Sequence, residues 1–78
     1  IATAEYDLAN VLRDMGKYGE AEPRYKRAIQ IRETAYGTEK PQVAEVLVEY
    51  AKLLRLAKRP QEADRLDARV RAIPTPSK

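Results

Sequence analysis

A 42-residue internal repeat constrains this chain more than any other feature. Sliding the 78 residues against themselves at that offset aligns 36 pairs, of which eight are identical: Ala2/Ala44, Ala9/Ala51, Leu12/Leu54, Arg13/Arg55, Glu20/Glu62, Ala21/Ala63, Arg27/Arg69 and Ile31/Ile73. About three identities are expected by chance for this composition at one register. Conservative pairs such as Ala4/Val46, Asp7/Glu49, Val11/Leu53, Lys17/Arg59 and Glu22/Asp64 reinforce the register. A unit of this size cannot hide its apolar side alone, and stacking on a neighbouring unit solves that problem. A chain this short buries only about 60% of its unfolded surface, so a core shared between the two units is expected.

Periodicity places two helical segments in each unit. In the first, Ala4, Leu8, Val11, Leu12 and Met15 recur at steps of three and four, and Gly16 ends the helix in a left-handed cap. The second runs from about Glu20 to Tyr36, with Ala21, Tyr25, Ala28, Ile29 and Arg32 on one side, and Pro23 is expected near its first turn, where backbone donors lack helical acceptors. The third begins just after Pro41, and Val43, Val46, Leu47, Tyr50, Ala51, Leu54 and Ala57 form the clearest 3.6-residue stripe in the chain. The fourth opens at Pro60, carries Ala63, Leu66, Val70 and Ile73, and ends before Pro74, because the residue preceding a proline avoids helical torsions. Small residues at Ala9, Ala21, Ala28, Ala51 and Ala63 mark where paired helices approach closely, and each hairpin keeps an apolar flank that nothing in the same pair covers.

Composition removes several functions. Histidine and cysteine are absent, so Ser/His and Cys/His nucleophilic machinery, disulfides and thiolate or imidazole metal sites are not available. Glycines 16, 19 and 37 lack the spacing of a phosphate-binding loop, and the carboxylate pairs Glu20/Glu22 and Glu45/Glu49 fall on helix surfaces that should be exposed, without the shielding that acid–base catalysis needs. An enzyme, a cofactor and a metal are therefore not expected. A net charge of +3, with 15 cations against 12 anions, is too small for a nucleic-acid partner, and no apolar run suits a membrane. Neither a signal peptide nor a membrane-spanning segment is recognisable in the sequence, which makes the cytoplasm the expected compartment.

The ordered string Leu8-Ala9-Asn10, then Gly16 through Glu33 (GKYGEAEPRYKRAIQIRE), then Tyr36-Gly37 and Lys40-Pro41-Gln42-Val43-Ala44, resembles the 42-residue tetratricopeptide repeat of the kinesin light chain type over about residues 2 to 73. The resemblance implies an all-α solenoid of two stacked antiparallel helix pairs, with one repeat over about 2–37, a second over about 41–73 and a Pro-rich tail at 74–78. The second copy departs from the pattern with Lys58, Pro60 and Asp67 where the first has Gly16, Tyr18 and Tyr25. Its polar last helix, with Arg65, Asp67, Arg69 and Arg71, suits a terminal repeat.

By the same resemblance, the first helix of each pair lines a concave groove that holds a peptide or partner protein. The groove positions are Thr3, Tyr6, Asn10 and Arg13 in one copy and Glu45, Val48, Lys52 and Arg55 in the other, with Tyr6, Asn10, Arg13, Val48, Lys52 and Arg55 as the candidate binding residues. Helical spacing agrees, since Tyr6, Asn10 and Arg13 lie at i, i+4 and i+7 on a face separate from Leu8, Leu12 and Met15. Asn10 stands where the family commonly binds a ligand's main chain, and an amide both donates and accepts. Arg13, Lys52 and Arg55 bias the surface toward an acidic partner, although Glu45 and Glu49 are within helical reach of Lys52. Tyr18, Tyr25 and Tyr36 fall on family positions that pack between helices, and Tyr50 on the apolar stripe of the third helix. An alternative role is self-assembly, in which the exposed repeat faces pair with other copies.

Overall fold

A computed structural model describes the backbone of residues 2–73 and the side chains of residues 4–73. Four helices follow one another: α1 (Ala2–Asp14), α2 (Tyr18–Tyr36), α3 (Pro41–Leu56) and α4 (Pro60–Ala72). The connections are three or four residues long, which leaves consecutive helices no choice but to double back on each other. α1 packs on α2, α3 packs on α4, and α2 lies against α3, joining the two hairpins into one body. Among the described residues there is no strand. The Pro-rich segment 74–78 lies outside the described residues.

The buried face of α2 comprises Ala21, Tyr25, Ala28, Ile29 and Arg32, as its periodicity predicts. In α3 the residues Val43, Val46, Leu47, Tyr50, Ala51 and Leu54 are buried, joined by Ala44 and Leu53. Ala9, Ala21, Ala28, Ala51 and Ala63 are all buried, so the small side chains do stand where helices meet. The core is continuous across both hairpins, and the Tyr25 and Tyr50 rings stack across the α2/α3 junction with centroids 5.7 Å apart and planes 18° from parallel. That geometry is the offset arrangement that aromatic pairs favour.

Two local expectations need correction. α2 begins at Tyr18 rather than near Glu20, which places Pro23 inside the helix instead of in its first turn. Its missing amide leaves the Gly19 carbonyl without a helical donor, a loss that exposure to water on that side makes tolerable. Tyr36, expected to pack between helices, is half-exposed, because α2 has 19 residues against 13 in α1 and its last turns outrun their partner.

The two hairpin turns are built alike despite their different residues. Gly16 and Lys58 both take positive φ, 82° and 66°. Their own amides and the next ones close the same pair of bonds, Gly16 to Arg13 and Lys17 to Leu12 in one copy, and Lys58 to Arg55 and Arg59 to Leu54 in the other. These are the bonds of a left-handed helix C-cap, where a Cβ is strained by roughly 1–2 kcal/mol. Lys58→Gly should therefore stabilise the chain by about 1 kcal/mol and raise its thermal midpoint by roughly 4–8 °C, readable by calorimetry. An unchanged midpoint would mean that Lys58 is not held in this conformation.

Candidate peptide-binding groove

Helices α1 and α3 carry the predicted groove residues, and the structure places them in two groups. Toward the C-terminal ends of both helices, Arg13, Lys52 and Arg55 line one hollow of about 430 Å³ together with Asp14 and Leu56. Nearer the N-terminal ends, Tyr6 and Asn10 are half-buried against the core and Val48 is exposed. Thr3 has no described side chain.

The cations of the hollow are each matched by carboxylates within the chain. Arg13 meets Glu49 at 2.5 Å and Asp14 at 3.1 Å. Lys52 reaches the other oxygen of Glu49 at 3.2 Å, and Arg55 binds Asp64 at 3.2 Å and also Asp67. Burial opposes the charge on Glu49, but its bonds from Arg13 and Lys52 outweigh that cost and hold the carboxyl below the usual range. The positive stripe read from the sequence is thus largely neutralised where it lies.

Around Tyr6 the organising group is Arg32, which arrives from α2. Its guanidinium sits over the Tyr6 ring at 4.9 Å from the centroid and donates to the Gln42 carbonyl at 2.8 Å and to Glu45 at 2.7 Å. Glu45 is thereby committed to Arg32, and among the described residues Lys52 pairs with Glu49 alone. Burial raises the Tyr6 phenol above its ordinary value, so it stays neutral at physiological pH. Asn10 is fixed from beneath, since the Tyr25 hydroxyl donates to its Oδ1. Burial pushes the Tyr25 phenol up to about 12, which keeps that donor protonated. With its oxygen engaged, Asn10 retains two amide N–H donors.

The hairpin junction holds a further network on α2, α3 and the turn that leads into α4. Arg59 grips both oxygens of Glu22 at 2.9 Å each, while the Tyr50 hydroxyl donates to Glu22 at 2.6 Å. The Arg59 bonds, helped by Tyr50 and opposed by burial, hold the Glu22 carboxyl down at about 2. A carboxylate locked in its ionised form this way is unsuited to general acid–base work. Sequence reasoning does not reach the roles of Arg32, Glu49, Glu22 and Arg59 in tying helices together. One signal exists for Arg32: a charged residue in phase with Ala21, Tyr25, Ala28 and Ile29 must find a partner in the interior.

Among the described residues, no group of three or more acidic side chains is arranged to hold a metal ion, and no helix is long and apolar enough to cross a membrane. The architecture is that of an all-α helical-repeat solenoid, built from two stacked helix pairs. A tetratricopeptide repeat family model matches residues 1–75, and the chain belongs to that family, whose repeats generally serve as protein-interaction scaffolds. Searches against curated proteins and solved structures gave no match.

Proposed function

We propose that this chain is a non-catalytic interaction scaffold of the kinesin light chain type, holding a peptide or partner protein along the α1/α3 face. The orientation of Asn10 carries the reading. Because Tyr25 from α2 occupies its oxygen, the amide is held in a single orientation with its N–H donors on the side of Tyr6, where they suit capture of a main-chain carbonyl of any sequence. Tyr6 and Val48 supply apolar contact beside it, and Arg13, Lys52 and Arg55 rim the far end. Since those cations already have carboxylate partners, acidic side chains of a ligand bind there by exchange, and charge adds selectivity more than affinity.

The bond from Tyr25 also dictates which variant is informative. Asn10→Ala would strip the Tyr25 hydroxyl of its acceptor and mix stability with binding, whereas Asn10→Asp keeps an oxygen for Tyr25 and removes both donors. With a peptide selected on the native chain from a random-sequence library, Asn10→Asp should weaken binding roughly tenfold, the loss of about one good hydrogen bond, at unchanged helicity by circular dichroism. Equal affinity of the two chains, or a library that yields no binder, would overturn the groove.

A further inference from the structure

α1 and α3 carry the groove yet scarcely pack on one another, since both rest on α2 instead. Two polar ties span the gap between them. At one end Arg13 of α1 meets Glu49 of α3 at 2.5 Å. At the other the tie comes from α2: Arg32 lies against the Tyr6 ring of α1, 4.9 Å from its centroid, and donates to the Gln42 carbonyl and to Glu45 in the first turns of α3. Arg32 is only 8% exposed, the one charged residue of the core among the described residues. An apolar side chain would fill that space without dehydrating a guanidinium, and buried ion pairs are in general no more stabilising than apolar groups of equal volume. What the charge adds is direction, because its N–H groups and its contact with a ring face are satisfied together in a narrow range of geometries. The internal repeat points the same way. Val48 and Pro74 stand 42 residues on from Tyr6 and Arg32, so the second copy lacks the ring and the cation together.

We infer that Arg32 is a positioning residue of the groove: from behind, it fixes the Tyr6 ring and the first turns of α3 beside it, and peptide affinity depends on it although it does not touch the peptide. The inference rests on the reading of the α1/α3 face as a peptide groove. It also sets what Tyr6 accepts. With Arg32 on one face of the ring, only the opposite face is left for a ligand, and a lysine or arginine placed there would meet a second cation across the ring. Tyr6 therefore selects an apolar or aromatic ligand side chain.

Arg32→Met nearly keeps the volume and removes the charge. Glu45 then faces water, with 57% of its side chain exposed, so the thermal midpoint should move by no more than ~3 °C. The peptide selected on the native chain should nonetheless bind about fivefold more weakly, and Arg32→Lys, which keeps a cation and donors at the same place, should recover roughly half of that loss. Tyr6→Leu should weaken binding in the native chain but add little to Arg32→Met, since a ring no longer held contributes little more than a leucine. Without peptide, the Tyr6 ring proton resonances should shift in Arg32→Met. Unchanged affinity of Arg32→Met, full additivity with Tyr6→Leu, or an Arg32→Lys chain as weak as Arg32→Met would overturn the positioning role. If Arg32→Met does not fold, Arg32→Gln, which also removes the charge, takes its place in the same cycle and the same outcomes decide. Asn10→Asp separates the two claims: if it weakens binding while Arg32→Met does not, the groove stands and the role of Arg32 falls, and if neither weakens binding, both fall.

Discussion

Tyr25→Ala is expected to cost the chain about 4 kcal/mol, most of the stability that a domain of this size holds. Tyr25 is completely buried, its ring stacks on Tyr50 across the hairpin junction, and its hydroxyl anchors Asn10. Truncation removes a large side chain from the core that both hairpins share, and two units have little other area with which to compensate. Urea denaturation followed by circular dichroism reads the loss as a midpoint near or below zero denaturant. Tyr25→Phe separates the contributions: it keeps the ring and the stack, removes the bond to Asn10, and should cost only about 1 kcal/mol. If Tyr25→Ala behaved as mildly as Tyr25→Phe, the ring would not be the joint between the hairpins.

Ala51→Leu should destabilise the chain by about 1–3 kcal/mol through the opposite error, too much volume. Ala51 is buried on α3, and its counterpart Ala9 is likewise buried on α1, so both hairpins rely on an alanine at the same height. The added isopropyl group forces neighbouring side chains out of their preferred rotamers or pushes the helices apart. The same denaturation experiment shows the effect, and peptide affinity of the remaining folded fraction should be unchanged. A neutral Ala51→Leu would mean that the α3/α4 crossing is not close at this point.

Elements whose signal is periodic are legible in the amino-acid order alone. The faces of α2 and α3 follow from apolar residues three and four apart, because burial of one helical side is what selects them. The stack of two hairpins is legible for a different reason, the 42-residue register, which pairs residues that occupy equivalent sites. Helix ends are less so. Lys17 precedes α2 without offering a side-chain cap, so no residue type announces that the helix starts at Tyr18 and takes in Pro23. Lysine gives no hint of a left-handed turn; only the alignment of Lys58 with Gly16 does. In the groove, helical spacing picks out the cations and the Lys52–Glu49 pair, but not the distant carboxylates that hold Arg13 and Arg55. The pairs Arg13–Glu49 and Arg59–Glu22 join residues 36 and 37 apart, and Arg32–Glu45 joins residues on different helices. Local spacing carries no trace of such partners, which is why a neutralised surface reads as a cationic one.

The joining of the hairpins through α2 and α3 is tested most directly by proton nuclear Overhauser contacts between the Tyr25 and Tyr50 rings in the native chain. Stacking at 5.7 Å between centroids predicts ring-to-ring cross-peaks that disappear in the Tyr25→Ala chain. Rings that each show contacts only within their own hairpin would contradict the stack.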